Sequence, residues 1–172
     1  MQPLLDLLDS HASCVAIDLT DPSWHLNRNI GAVPGWYFIR TDAPVDVLRC
    51  QTLCPRTYVT KGGKEKNVGR YDIAARAARF TDDMQPYWNT TEVYSGLAKS
   101  LQDRAREHTF PNDPGTIGLA LGYYPELASY TWTFGFIRLD RLAAPASGQD
   151  LLLKLGEQAW RARNGWPLLC SA

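Results

Sequence analysis

Five side chains spread along most of the sequence could do chemistry together: Tyr37, Tyr94, Arg104, His108 and Glu157. Arg104 offers a planar fork of donors that suits phosphate oxygens bidentately, and its charge does not titrate away. Its bland reading is a surface arginine bridging to Asp103, Glu107 or His108. A tyrosine with an ordinary pKa near ~10 is a poor base, so Tyr37 or Tyr94 would need a nearby cation to lower it. Taken singly, each tyrosine reads as half-buried strand packing. His108 lies four residues after Arg104, so a helix would project both from one face. There it could relay a proton or position a tyrosine, or simply answer the helix C-terminal dipole. Glu157 is a lone carboxylate. That is chemically sufficient for magnesium, which keeps most of its waters and takes only one or two protein carboxylates. The plain alternative is a solvated glutamate.

The elements that would have to position these residues are partly readable. Gly35-Trp-Tyr-Phe-Ile-Arg40 is a strand, dense in aromatic and β-branched residues and launched by Pro34-Gly35. Alternation then puts Tyr37 on one face with Gly35 and Ile39, and Trp36 and Phe38 on the other. Residues 56–72 read as a basic hairpin with turn chemistry at Lys61-Gly-Gly-Lys64, followed by a helical patch over 73–80. A second short strand is expected at Val93-Tyr-Ser-Gly96. A helix follows, capped by Ser100 with Asp103 three residues on and ended by Pro111 and Pro114. Strands are expected over Tyr130–Leu139 and, shorter, over Ile117–Tyr124. The last helix is capped by Ser147, runs to about Arg163 and stops at Asn164-Gly165. On it, Glu157 borders an apolar arc of Leu151, Leu152, Leu155 and Ala159. A short amphipathic helix is expected over Pro3–Leu8, and no clear element between Cys14 and Pro34. Trp24, Trp88 and Trp132 read as core.

Bulk properties narrow the class. With 172 residues, 45% hydrophobic and 21% charged, the chain can bury a core, and neither a disordered nor a membrane protein fits. Apolar runs such as Leu151–Leu155 are far shorter than the ~20 residues a membrane span needs. Asp6 and Asp9 stand where a secretory signal would be basic, so no export signal is expected. Cys14, Cys50, Cys54 and Cys170 are too scattered for a disulfide framework. Cys50 and Cys54 have no second pair to complete a zinc site, so free thiols in a reducing cytoplasm are the simplest reading. Net charge is zero, yet residues 49–79 hold eight basic side chains against Glu65 and Asp72. The first 48 residues lean acidic. A basic region is therefore hidden in a neutral total.

In order and context these residues resemble the GIY-YIG nucleases. Gly35-Trp36-Tyr37 is similar to the first family motif and Tyr94-Ser95-Gly96 to the second. The run from Tyr94 through Ser100 and Arg104 to His108 resembles the strand-to-helix block that follows. Glu157 before Pro167-Leu168 resembles the family's metal-binding glutamate on a late helix. The motifs read GWY and YSG, but both tyrosines are kept. More than fifty residues separate Tyr37 from Tyr94, an insertion at about 41–91 that resembles the restriction-enzyme branch. The family's asparagine after the terminal proline has no counterpart here.

The resemblance implies a single α/β (α+β) domain over residues 1–172, with a small, mostly antiparallel central sheet flanked by helices. It implies a DNA endonuclease dependent on Mg2+ or Mn2+, with the metal on Glu157. Arg104 would hold the phosphate, Tyr37 and Tyr94 would flank it, and His108 would relay a proton or position Tyr37. Lys99 would touch the phosphate. Lys61, Lys64, Lys66 and Arg70 would grip DNA from the insertion. Cutting both strands of a palindrome would favour a homodimer. The rival of another class is a non-cleaving module that binds nucleic acid or protein on the same fold. A chance motif in an unrelated domain predicts that Tyr37, Tyr94, Arg104 and Glu157 do not converge.

Overall fold

Alternation along residues 35–41 sets the layering. In the computed structural model, which describes residues 6, 9–52, 57–60, 62–67, 72–81, 91–112, 117–142 and 149–170, this segment is a strand buried on both faces. Tyr37 and Ile39 enter one apolar cluster, with Phe134, Leu101, Ala105 and Leu119. Trp36 and Phe38 enter a second, with Ile137, Ala159 and Trp160. The domain is thus an α+β structure with a central antiparallel sheet between two apolar layers.

The sheet contains β1 (Ser13–Ala16), β2 (Gly35–Thr41), β5 (Glu92–Ala98) and β6 (Trp132–Arg138), in the order β1-β6-β2-β5 and antiparallel throughout. β2 lies between β6 and β5, so both its edges are paired, and the two apolar clusters cover its faces, leaving only Arg40 of the strand exposed. The edge of β5 is partly covered by residues 167–170, where the Leu169 N–H donates to the Val93 carbonyl at 2.8 Å. Between β2 and β5 the chain forms a short helix α1 (Val45–Arg49), the hairpin β3 (Thr57–Val59) and β4 (Glu65–Asn67), and a short helix α2 (Ile73–Ala77). The hairpin turn closes through hydrogen bonds between Thr60 and Lys64 and between Gly63 and Thr60, with Gly63 at φ +75°. Arg49 ties α1 to α2 by donating to the Ala77 and Phe80 carbonyls.

Helix α3 (Leu101–Thr109) packs on the Tyr37 face, burying Leu101, Ala105, His108 and Thr109. Helix α4 (Gln149–Asn164) packs on the opposite face, where the Trp160 ring sits 5.4 Å from Trp36 and 6.0 Å from Phe38 between centroids.

Several local expectations are corrected. The apolar arc on α4 is rotated: Leu151 and Leu155 are exposed, whereas Gly156, Ala159 and Trp160 are buried. The two aromatic rings of β2 select Trp160 as their partner, and leucine count alone does not register that demand. Residues 117–124 do not form a strand. Ala120 adopts φ 51°, which breaks extended backbone, and Leu121–Tyr123 then turns as a 3-10 helix. The short helix after Asp72 ends at Ala77 instead of reaching Phe80. β1 was not legible because it has only four residues and alternates between half-exposed and exposed positions. Trp24 and Trp132 are core, as expected. Ser147, Trp88, Cys54 and most of the Pro3–Leu8 segment lie outside the described residues.

Candidate functional site

Tyr37 is the centre of the site. On β2 it stands directly opposite Gly96 of β5, and its phenol lies across that glycine. A Cβ at position 96 would fall 2.6 Å from the Tyr37 hydroxyl oxygen, so only glycine leaves the ring its place. Tyr94, two residues earlier on β5, projects from the same face. Its ring stacks with Tyr37 at 6.1 Å between centroids and 17° between planes, and their hydroxyls are hydrogen-bonded. The two tyrosine motifs therefore form one surface because their strands are paired in this register.

Helix α3 delivers the other two groups. Ser100 adopts extended backbone and its hydroxyl accepts from the Asp103 N–H at 3.2 Å, which starts the helix at Leu101. One turn later Arg104 Nε donates to the Tyr37 hydroxyl at 3.0 Å. His108 Nε2 lies 2.9 Å from the same oxygen, and the His108 ring is 4.6 Å from that of Tyr94. Both side chains come from one helix face, as their four-residue spacing requires.

Two elements outside any motif complete the cluster. Arg104 Nη1 donates to Glu107 Oε2 at 2.7 Å and to the Ile117 carbonyl at 2.6 Å. The Leu119 N–H donates to His108 Nδ1 at 3.2 Å. The Glu107 bridge is the one that its three-residue spacing from Arg104 offered, whereas nothing in residue type marks Ile117 and Leu119, which act through backbone groups.

Burial divides the four side chains. Tyr37, Tyr94 and His108 are 1%, 6% and 0% exposed. The Arg104 side chain is 21% exposed and borders a cleft of about 340 Å3 shared with Leu97, Ala98, Lys99, Ser100, Asp103 and Glu107. Among the described residues its Nη2 makes no hydrogen bond. Burial pushes the Tyr37 phenol up to about 12, outweighing the charge and hydrogen bond of Arg104 and the hydrogen bond of Tyr94. Burial, and then the charge of Arg104, hold His108 well below the ordinary imidazole range. Burial works against the Arg104 charge, but Tyr37, Glu107 and Tyr94 together keep its pKa above the ordinary value. Tyr37 is thus a neutral phenol and His108 a neutral imidazole. Neither the lowered phenol that a base at Tyr37 would need nor a His108 charged at the helix end is found.

Comparison with known protein families, with curated proteins and with solved structures finds no match.

Glu157 stands apart from this cluster. On α4 it pairs with Arg161 at 2.7 Å, with both side chains largely covered. Arg161 in turn donates to the Ser95 hydroxyl at 3.0 Å and contacts the Cys170 sulfur at 3.6 Å. Burial raises the Glu157 carboxyl, with Arg161 opposing. A carboxylate already neutralised by a guanidinium does not fit a divalent cation unless Arg161 leaves, because the two cations would share one anion. Among the described residues, no three or more His, Cys, Asp or Glu side chains gather to hold a metal. Convergence is thus complete for Tyr37, Tyr94, Arg104 and His108 and does not extend to Glu157.

The basic residues are placed as follows. Lys99 is exposed at the cleft. Lys64 and Lys66 are exposed on the β3–β4 hairpin. Lys61 and Arg70 lie outside the described residues. No described helix is long and apolar enough to cross a membrane.

Proposed function

We propose that this chain is an endonuclease that hydrolyses DNA phosphodiester bonds with a divalent cation, Mg2+ or Mn2+, as the GIY-YIG resemblance implies. The observation that supports this best is the division of labour on Arg104. Its Nε holds the Tyr37 hydroxyl and its Nη1 is fixed by Glu107 and Ile117, which leaves Nη2 without a hydrogen bond among the described residues, on a side chain that borders the cleft. A guanidinium braced on one side and open on the other is pre-set to bind a phosphate oxygen and the charge that grows there. Lys99 adds a second positive charge at the same cleft. With its pKa pushed up to about 12, Tyr37 stays a protonated phenol at neutral pH and cannot act as the base, so its part is to hold Arg104.

The hairpin lysines Lys64 and Lys66 would add phosphate contacts from the insertion, giving restriction-like, site-specific cutting, in a homodimer if both strands of a palindrome are cut. Free thiols at Cys14, Cys50 and Cys170 suit a reducing cytoplasm. Metal-dependent cleavage by the full chain, lost in Arg104→Ala, is the required outcome.

A second reading has its own support. The engagement of Glu157 by Arg161 favours a module that grips nucleic acid without cutting it. DNA retention that survives chelator, with no cleavage under either metal, would mark that case.

A further inference from the structure

Residues 117–119 fold back across the last turn of α3. The Ile117 carbonyl accepts from Arg104 and the Leu119 N–H donates to His108, so adjacent peptide groups of one segment hold both helix side chains. Gly118, between them, packs on the backbone of α3. A Cβ there would lie 2.2 Å from the Glu107 carbonyl oxygen and 2.7 Å from its carbon. Leu119 is fully buried in the Tyr37 layer, which anchors the segment.

We propose that residues 117–119 form a positioning strap that fixes the direction of the His108–Tyr37 hydrogen bond and holds Arg104 on the same phenol. A nitrogen that accepts an N–H carries no proton, so Leu119 obliges neutral His108 to keep its proton on Nε2. That proton points at the Tyr37 hydroxyl oxygen, which also accepts from Arg104 Nε. Both acceptor sites of the phenol are then filled, by His108 and by Arg104. His108 is a fixed donor in this arrangement and cannot serve as a base. The groups facing it are Tyr37 from β2, Tyr94 from β5 and Arg104 from its own helix, and the cation disfavours a second proton on the ring. Gly118 and Leu119 are positioning residues: they act on a phosphate only through Arg104, His108 and Tyr37. Their kinetic consequence rests on the nuclease reading, whereas their effect on His108 does not.

The test is nitrogen NMR of the full chain labelled at histidine. The expected result is a single neutral Nε2–H tautomer for His108 that does not titrate between about pH 5.5 and 8. A proton on Nδ1, or titration at the ordinary histidine value, overturns the proposal. Gly118→Ala should push the segment off the helix, giving a mixed or titrating His108 signal. It should also lower kcat for DNA cleavage by about tenfold with KM within about twofold. An unchanged His108 signal in folded Gly118→Ala overturns the proposal too. Should that variant fail to fold, the wild-type spectrum still decides. Should the wild type cut no DNA, the spectrum decides the strap while the nuclease reading falls separately.

Discussion

Arg104 Nε lies 3.0 Å from the hydroxyl of Tyr37, a residue sixty-seven positions earlier in the chain. The contact joins an inner strand of the sheet, β2, to α3, the helix directly after the second tyrosine motif. It exists because Gly96, opposite Tyr37, leaves room for the phenol to lie flat and reach the helix. A buried oxygen that receives donors from both Arg104 and His108 is a structural commitment, and its removal is measurable.

Tyr37→Phe keeps the ring and deletes that oxygen. It leaves the Arg104 Nε–H and the His108 Nε2–H without their acceptor, at a cost of about 1–3 kcal/mol. Urea unfolding should show this loss with an unchanged m-value. Full stability in Tyr37→Phe would mean that the hydroxyl holds nothing in place.

The buried neutral state of His108 has a pH signature. In the unfolded chain the imidazole protonates near about 6.5, whereas in the native chain its pKa lies well below that. Below the unfolded value the unfolded state takes up a proton that the native state refuses. Stability should therefore fall as pH drops through that value, by at most about 1.4 kcal/mol per pH unit for this group, and be flat in this respect above it. His25, lowered chiefly by burial, adds a slope of the same sign, and Glu157, raised by burial, opposes it at more acid pH. The comparison is thus thermal melting of wild type against His108→Gln from pH 8 to about 5, where the variant should show the flatter profile. Parallel profiles would place a charged histidine in the native site.

Arg161 and a divalent cation should compete for Glu157. The pair at 2.7 Å is largely covered, so removing the guanidinium charge should raise Mn2+ affinity on the order of tenfold. Calorimetric titration of Mn2+ into wild type, Arg161→Gln and Glu157→Gln reads this directly. Tighter binding in Arg161→Gln and loss in Glu157→Gln are expected. Equal Mn2+ binding in all three would take the metal away from Glu157.

The exposed hairpin lysines should contribute phosphate contacts with no sequence content. Replacing both Lys64 and Lys66 by alanine should weaken DNA binding and reduce the slope of log K against log salt by up to about 1.8. Fluorescence anisotropy with a labelled duplex at several salt concentrations measures it. An unchanged slope would leave the hairpin without a role in binding.

How far the sequence discloses this site depends on which groups do the holding. The strand at Gly35–Arg40, the two faces of Tyr37 and Trp36, the Ser100 cap and the shared face of Arg104 and His108 follow from alternation and helix periodicity, and all four are present. Gly96 could be read as a motif letter, but its reason is steric and needs the register with Tyr37. Ile117 and Leu119 leave no trace because their carbonyl and amide do the work, and backbone groups are common to every residue. Glu157 could be placed on a helix. Its engagement by Arg161, one turn on, is an i,i+4 pairing that spacing permits without requiring. The packing of α4 is not legible for a related reason: Trp160 answers Trp36 and Phe38 across space, and linear leucine count does not record that.

The most direct test is incubation of supercoiled plasmid with the full chain and Mg2+ or Mn2+, beside EDTA and Arg104→Ala controls whose folding is checked by circular dichroism. The account predicts metal-dependent nicked or linear products from the wild type, absent with EDTA and reduced by about a hundredfold or more in Arg104→Ala. Intact plasmid and intact branched DNA with the wild type under both metals, or full cleavage by Arg104→Ala, would contradict it.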